Sequence, residues 1–434
     1  MASSFLSFLL LCSLLFFISP SLAKTPFRPK GLLLRVTKDS STSQYLTHIK
    51  QRTPFVPLKV TVDLGGKFLW VDCEDYISSS YKPVSCDSKL CTLANSHSCT
   101  SECYSAPKPG CHNNTCDQLF YNPVSRVSSS GQIGQDILSL ESTDGRNPGK
   151  LVSVPNLAFT CGYTSSLESL ANGVKGIAGF GINNISLPFQ LSSAFRLQKK
   201  FAMCLSSSPQ AEGVIFFGDG PYVMLPGIDS SKILSYTPLL INPVSTSGAY
   251  FAGDASVEYF IRVKSIEINE KQVKINKKLL SITEEGKGGT KISTVNPYTV
   301  LETSIYKAVT KAFVKALSKV PRVKAVAPFG VCFSAKHIGV TRVGPAVPTI
   351  DLVLQNNGTV WRIWGTNSMV NINDNALCLA FVDGGADAET SIVIGGHQLE
   401  ENLLQFDFGS KTLGFSGPLP FWRTTCANFN FTSV

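Results

Sequence analysis

The chain has 434 residues, 39 Lys and Arg against 30 Asp and Glu, and a formal net charge of +9. The basic charge is spread along the sequence without a Lys/Arg block or an aromatic-basic module, which excludes a nucleic-acid binder and favours an acidic polysaccharide or acidic protein as partner. No stretch beyond the N-terminus approaches 18 uncharged apolar residues, so no membrane-spanning helix is expected, and the length exceeds one core and calls for two lobes of about 200 residues each.

In chain order, the apolar run Phe5 to Phe17, Pro20 and the small-residue end Ser21-Leu22-Ala23 read as a secretory signal peptide cleaved after Ala23, although its start carries no Lys or Arg. The mature chain has 411 residues (434 minus 23) and is expected to be a secreted, extracellular monomer. Of thirteen cysteines, Cys12 leaves with the signal and twelve remain, an even number in an oxidising compartment. Cys73, Cys86, Cys91, Cys99, Cys103, Cys111 and Cys116 crowd into one Ser- and Pro-rich stretch, where bridges must replace a core. Cys161, Cys204, Cys332, Cys378 and Cys426 follow. Only the loose Cys99-x3-Cys103 spacing resembles a metal site, so neither metal nor cofactor is expected.

Short apolar runs at Leu32 to Val36, Leu58 to Val62, Phe68 to Val71, Val214 to Phe217 and Ser391 to Ile394 alternate with Gly, Pro, Asn and Ser turns, the texture of an all-β protein. One helix interrupts it. Ile305, Val309, Phe313 and Leu317 form an i, i+4 stripe between Ser304 and Val320, with Thr303 as N-cap and Lys307, Lys311, Lys315 and Lys319 on a solvated face. A Gly/Pro-rich crossing at Gly218 to Gly227 divides the chain into a signal peptide (1–23), a first lobe (24–225) and a second lobe (226–434). Nine mature cysteines fall in the first lobe and three in the second, both odd, so if all pair at least one bridge joins the lobes; Cys204 with Cys426 is the expected pair. Sequons at Asn113, Asn184, Asn357 and Asn430 predict exposed, glycosylated segments. His48, His97, His112, His337 and His397 are scattered outside any nucleophile or metal motif.

Val60-Thr61-Val62-Asp63-Leu64-Gly65-Gly66 followed by Phe68-Leu69-Trp70-Val71-Asp72-Cys73 resembles the first active-site turn of pepsin-like aspartic proteases. Gly176-Ile177-Ala178-Gly179-Phe180-Gly181, Val393-Ile394-Gly395-Gly396 and Phe406-Asp407 resemble further landmarks of that family, in order, over nearly the whole mature chain. The resemblance implies a bilobal pepsin-like fold with a second catalytic turn just before Tyr298-Thr299-Val300-Leu301. There the chain reads Lys291-Ile292-Ser293-Thr294-Val295-Asn296-Pro297, with Ser293 in the aspartate's place. Hydrolysis by this fold needs two carboxyls sharing a proton, and a hydroxyl cannot be one of them, so Asp63 and Ser293 are expected to be vestigial and the chain no enzyme. Leu64 and Gly66 replace the bracing Thr and Ser, and the flap's Y-G-D-G-S reads Asn122-Pro123-Val124-Ser125-Arg126. Asp63 is then a turn residue bonded to nearby amides.

These losses are similar to those of a plant-secreted branch: TAXI-type xylanase inhibitors, dermal glycoproteins, xyloglucan-specific endoglucanase inhibitors and basic seed globulins. The cysteine cluster, the two altered turns and Cys426-Ala427-Asn428-Phe429-Asn430-Phe431 look most like the dermal-glycoprotein and endoglucanase-inhibitor group. That resemblance implies a defence protein that binds microbial endoglucanases or xyloglucanases. A retaining glycosidase presents two carboxyls about 5–5.5 Å apart, which an arginine fork bridges better than a lysine. Arg342 in Gly339-Val340-Thr341-Arg342-Val343-Gly344-Pro345 and Arg423 in Phe421-Trp422-Arg423-Thr424-Thr425-Cys426 match the inhibitor group's loops, and Arg322 beside Pro321 is a third candidate. Arg423 stands where TAXI-type relatives use a histidine, which favours family 12 endoglucanases over family 11 xylanases. A carbohydrate- or peptide-binding storage globulin and a residual protease are the alternative readings.

Overall fold

The expected apolar runs form strands that are buried nearly throughout, and hydrogen bonding then joins strands from both halves of the chain into one sheet. The computed structural model describes residues 27–251, 253–355 and 358–432; the expected signal peptide with its Cys12, and Asn357 of the third sequon, lie outside them. The fifteen-stranded sheet runs along the path Ser235–Pro238, Thr412–Pro418, Asn402–Asp407, Lys200–Cys204, Gly213–Phe217, Gly31–Lys38, Tyr45–Gln51 and Val56–Asp63, and on through the first half to Ser98–Thr100. Lys200–Cys204 and Asn402–Asp407 pair antiparallel across the two halves with Phe201 opposite Phe406. Their rings stack 4.8 Å apart, and Tyr259 meets Phe406 at 4.5 Å, all three fully buried. Rings at this spacing contribute about 0.5–1.5 kcal/mol beyond their burial.

The two halves repeat one topology around the altered turns. In the first, Val56–Asp63 runs parallel to Gly176–Gly179, which pairs antiparallel with Trp70–Asp72, which runs parallel to Pro148–Gly162. In the second, Thr290–Ile292 runs parallel to Ile392–Ile394, which pairs antiparallel with Thr299–Leu301, which runs parallel to Phe381–Asp383. This duplicated, mostly β architecture is the bilobal pepsin-like fold.

Six disulfides use the twelve cysteines of the described residues: Cys73–Cys161, Cys86–Cys99, Cys91–Cys116, Cys103–Cys111, Cys204–Cys426 and Cys332–Cys378. Cys204–Cys426 is the bridge expected to tie the C-terminus back. No helix among the described residues is long and apolar enough to cross a membrane.

The predicted helix runs over Thr303–Ala316, burying Ile305, Val309 and Phe313 and exposing Lys307, Lys311 and Lys315. It starts and stops earlier than its apolar stripe. Thr303 is already helical, and the N-cap is Glu302, whose Oε2 accepts from the Ser304 and Ile305 amides. A carboxylate there serves as both acceptor and dipole complement. Leu317 is the C-cap, so the stripe's last member lies beyond the helix. The strand expected at Phe68 begins at Trp70.

Candidate functional site

The repeat brings the two altered turns together at the centre of the molecule. Asp63 ends its strand opposite Gly179, and Ser293 follows a strand in the matching register, its amide donating to Ile394 O at 2.9 Å. Asp63 Oδ1 accepts from Gly65 N at 2.8 Å; Ser293 Oγ accepts from Val295 N at 3.1 Å and Asn296 N at 3.2 Å. Serine thus performs the turn-bracing duty of a carboxylate without its charge. One strut crosses between the turns: Thr294 Oγ1 donates to Val62 O at 2.8 Å and accepts from Leu64 N at 3.1 Å. Leu64, fully buried, has no hydroxyl to return the contact.

A carboxylate that the sequence reading did not single out stands beside Asp63. A Cβ on Gly65 would lie 3.3 Å from Glu258 Oε1 and 3.5 Å from Asp63 Oδ1, so a side chain there would press on the Glu258 carboxylate. Glu258 Oε1 accepts from Lys291 Nζ at 2.7 Å, and its Oε2 from Ser256 Oγ at 3.2 Å. Asp63 is 6% exposed. Burial raises its pKa to about 6; the Gly65 amide opposes this, Glu258 adds to it, and Lys291 and the Gly66 amide oppose it again.

The cleft above Asp63 is covered. Residues 242–251 and 253–258 are strapped across it: Ser128 Oγ donates to Gly248 O, Asn95 Nδ2 donates to Asp254 Oδ1 at 3.2 Å, Lys67 Nζ pairs with Asp254 Oδ2 at 3.6 Å, and Ile182 N donates to Val257 O at 2.7 Å. His97 packs on Phe251 with centroids 4.3 Å apart. Gly248 lies so tightly on the Tyr121 ring that a Cβ would come within 2.2 Å of it. The cavity left between Asp63, Trp70, Tyr121 and Ala249 is about 30 Å³, room for about two waters. The flap position keeps a hairpin, Thr115–Asn122 with Val127–Thr143. Its turn is stapled by Asn122 Oδ1, which accepts from Val124 N at 2.9 Å.

The remaining histidines sit in local contacts. His397 Nδ1 is 3.3 Å from Glu400 Oε2, His112 stacks on Tyr81, His337 Nδ1 is 2.8 Å from Ser334 Oγ in an exposed turn, and His48 is exposed.

The segments that carry two of the three candidate arginines abut. Arg342 is exposed at the tip of the hairpin Val340–Thr341 with Gly344–Pro345, which is stapled by Thr341 Oγ1 donating to Gly344 O at 2.8 Å. This hairpin lies on the short helix Gly365–Ser368: Thr366 N donates to Val343 O at 2.8 Å, and Gly365 packs under Pro345. Trp364, just before that helix, meets Phe421 edge-on at 5.0 Å. Phe421 begins the Phe421-Trp422-Arg423 tip, so the chain carrying Arg423 abuts the chain supporting Arg342. Arg423 has φ +58° and closes the 3-10 turn Leu419–Trp422, its amide donating to Pro420 O at 3.1 Å. Thr424 Oγ1 donates to Leu225 O at 2.6 Å, and Cys426 is bridged beneath. Among the described residues neither guanidinium makes an ion pair or hydrogen bond. Arg322 is exposed on a separate short strand paired with Cys332–Ser334, near Tyr306. Of the sequons, Asn113 and Asn184 are exposed and Asn430 is half-buried.

The chain matches the family described as xylanase inhibitor N-terminal over residues 45–219 and that described as xylanase inhibitor C-terminal over residues 258–417. It is 57% identical to "Probable aspartic proteinase GIP2" of Nicotiana benthamiana over 98% of each chain, and 46% identical to "Gamma conglutin 1" of Prunus dulcis over 99% of this chain and 98% of that one. The crystal structure of edgp superposes with a TM-score of 0.93 at 56% identity, covering 94% of this chain and all of that one.

Proposed function

The chain belongs to the xylanase-inhibitor family of pepsin-like proteins, and from that membership we propose that it is a secreted plant defence protein that inhibits microbial cell-wall-degrading glycoside hydrolases, with xyloglucan-specific family 12 endoglucanases as its targets. It acts in the extracellular space, glycosylated at its exposed sequons, and has no proteolytic activity. The groove between the lobes is spent: Ser293 offers no carboxyl, Glu258 is engaged by Lys291, and a strap lies over Asp63. Binding therefore belongs to the outer loops.

The observation that supports this reading is the contact of Trp364, beside the support of the Arg342 hairpin, with Phe421 at the start of the Arg423 turn. A firm backbone with an unpaired guanidinium is what a cleft holding two carboxylates calls for, because the charge-assisted fork gains most when little side-chain freedom remains to be lost. Arg322, on its own strand, is the third and peripheral contact.

Titration of the purified protein into a panel of secreted endoglucanases and xylanases tests the proposal. Inhibition of an endoglucanase is expected, and Arg342→Ala or Arg423→Ala should each weaken it by about 2–5 kcal/mol. Inhibition constants unchanged in both variants would remove the arginines. Absence of inhibition across the panel would return the chain to the storage or carbohydrate-binding reading.

A further inference from the structure

From Thr303 to Ile350 the chain holds eight Lys and Arg and no Asp or Glu, so this one segment carries nearly all of the net charge of +9. The helix Thr303–Ala316 orders part of that charge. Ile305, Val309 and Phe313 are buried, and Lys307, Lys311 and Lys315 stand two positions further on, about 200° round the axis, so the row points away from the core with a rise of about 6 Å per lysine. Lys319 follows, exposed, in the turn after the helix. Lys307 has an acid nearby: after the Thr303 hydroxyl and the Gly385 amide, it helps to hold the Asp383 carboxyl below its ordinary pKa. Lys311, Lys315 and Lys319 make no ion pair or hydrogen bond among the described residues. The row does not serve its own helix. Like charges at i, i+4 destabilise a helix, and the stabilising partner of each lysine would be a Glu four residues earlier; those places hold Thr303, Lys307 and Lys311.

We propose that Lys311, Lys315 and Lys319 form a docking stripe for a polyuronate, a polysaccharide with one carboxylate on each sugar, which holds the protein to the extracellular matrix. This needs the extracellular location but not the inhibitor reading. Charge complementarity selects the ligand class: carboxylates that recur along an extended chain meet ammonium groups that recur along a helix. A lysine on its flexible stem follows such a chain without the fixed bidentate geometry that an arginine fork favours. The exposed neighbours of the row are Ser304, Ala316 and Ser318. They offer neither the aromatic anchors of a protein interface nor a flat apolar platform for a neutral glucan, so the charge alone must select. Exposed pairs are individually weak and are screened by salt, and binding therefore depends on several of them acting along one chain.

The test is co-sedimentation of the intact protein with polygalacturonate, and with fully methyl-esterified pectin as a chain whose carboxyls carry no charge, at low and at high salt. The wild type should bind polygalacturonate at low salt, ignore the methyl ester and be released as salt rises. The triple variant Lys311→Gln, Lys315→Gln, Lys319→Gln should bind about tenfold more weakly, the combined effect of three exposed pairs, with no fall in melting temperature. A control with the same charge change in the first half of the chain, Lys50→Gln, Lys89→Gln, Lys108→Gln, should stay within about twofold of the wild type. Equal losses in the two triple variants would overturn the stripe and leave only the net charge. Equal retention on the methyl ester would rule out carboxylate recognition, and equally tight binding to duplex DNA at the same salt would reduce the row to a general polyanion surface. A wild type that ignores polygalacturonate at low salt sinks the inference outright.

Discussion

Lys291 Nζ lies 2.7 Å from Glu258 Oε1, and this ion pair determines what Asp63 can do. Proton sharing between neighbouring acids requires that both be free to trade a proton, whereas Glu258 is committed to an ammonium group. Asp63 remains as a buried acid held by the Gly65 amide, beside a carboxylate that is already committed to Lys291.

Its protonation should be visible in stability. Burial, with Glu258 adding to it and the Gly65 and Gly66 amides and Lys291 opposing, raises the Asp63 pKa from 3.8 to about 6. Between those values the folded protein binds more protons than the unfolded chain, so stability present in full below pH 3.8 is lost as pH rises through about 6, by about 3 kcal/mol at most. Asp63→Asn keeps the acceptor for Gly65 N and removes the loss. Its melting temperature should exceed the wild type's by a few degrees at neutral pH and match it near pH 4; an equal shift at both would show that the pKa is not raised.

Restoring the missing acid should not restore proteolysis. Ser293→Asp would again place two carboxyls across the turns, but residues 242–251 and 253–258 would still cover them with room for about two waters. Casein digestion at acid pH should stay at background. Pepstatin-sensitive digestion by this variant would mean that the strap opens.

The fold was readable because its signals are local: the two apolar strands with their turns, the glycine-bearing partners Gly176 to Gly179 and Gly395-Gly396, and cysteine parity. The loss at Ser293 was readable for the same reason, as one letter in a fixed pattern. Glu258 was not, since it follows a Gly/Ser/Ala loop without periodicity and reaches Asp63 only through tertiary folding. Thr303 reads as the N-cap because Ser, Thr, Asp and Asn lead the capping preference, yet the Glu302 carboxylate, with the Ser304 and Ile305 amides donating to it, caps the helix instead. The meeting of the Arg342 and Arg423 loops depends on Trp364 touching Phe421, a contact that no spacing in the sequence announces.

Glu400 anchors the two halves of the chain to each other. Its Oε1 accepts from Lys38 Nζ at 2.6 Å and Tyr45 OH at 2.7 Å, and Oε2 faces His397 Nδ1 at 3.3 Å. Burial opposes its ionisation, but His397 and Lys38 outweigh burial and hold its pKa below the ordinary value. The stability it contributes is therefore present above pH 4.5 and is lost as pH falls through its folded pKa. Lys38→Met leaves a buried carboxylate short of a partner and should cost about 3 kcal/mol in urea unfolding at neutral pH, with the deficit shrinking near pH 3. A deficit independent of pH would assign the effect to lost packing.

The Cys204–Cys426 bridge joins residues 222 apart in sequence and lies three residues from Arg423. Cutting it with Cys204→Ala and Cys426→Ala should cost about 2–5 kcal/mol of stability, although the Cys426 amide retains its 2.8 Å bond to Glu401 Oε2. The greater effect should fall on binding, because the αL turn that presents Arg423 loses its covalent footing and its ordering must then be met on association. Inhibition should weaken in the bridge-less variant even well below its melting temperature. Adding Arg423→Ala to it should then cost less than the same substitution costs in the wild type, since residues acting as one unit are non-additive. Equal costs in the two backgrounds would show that Arg423 is held by the Thr424–Leu225 contact and the turn's own hydrogen bonds, with the bridge serving stability alone.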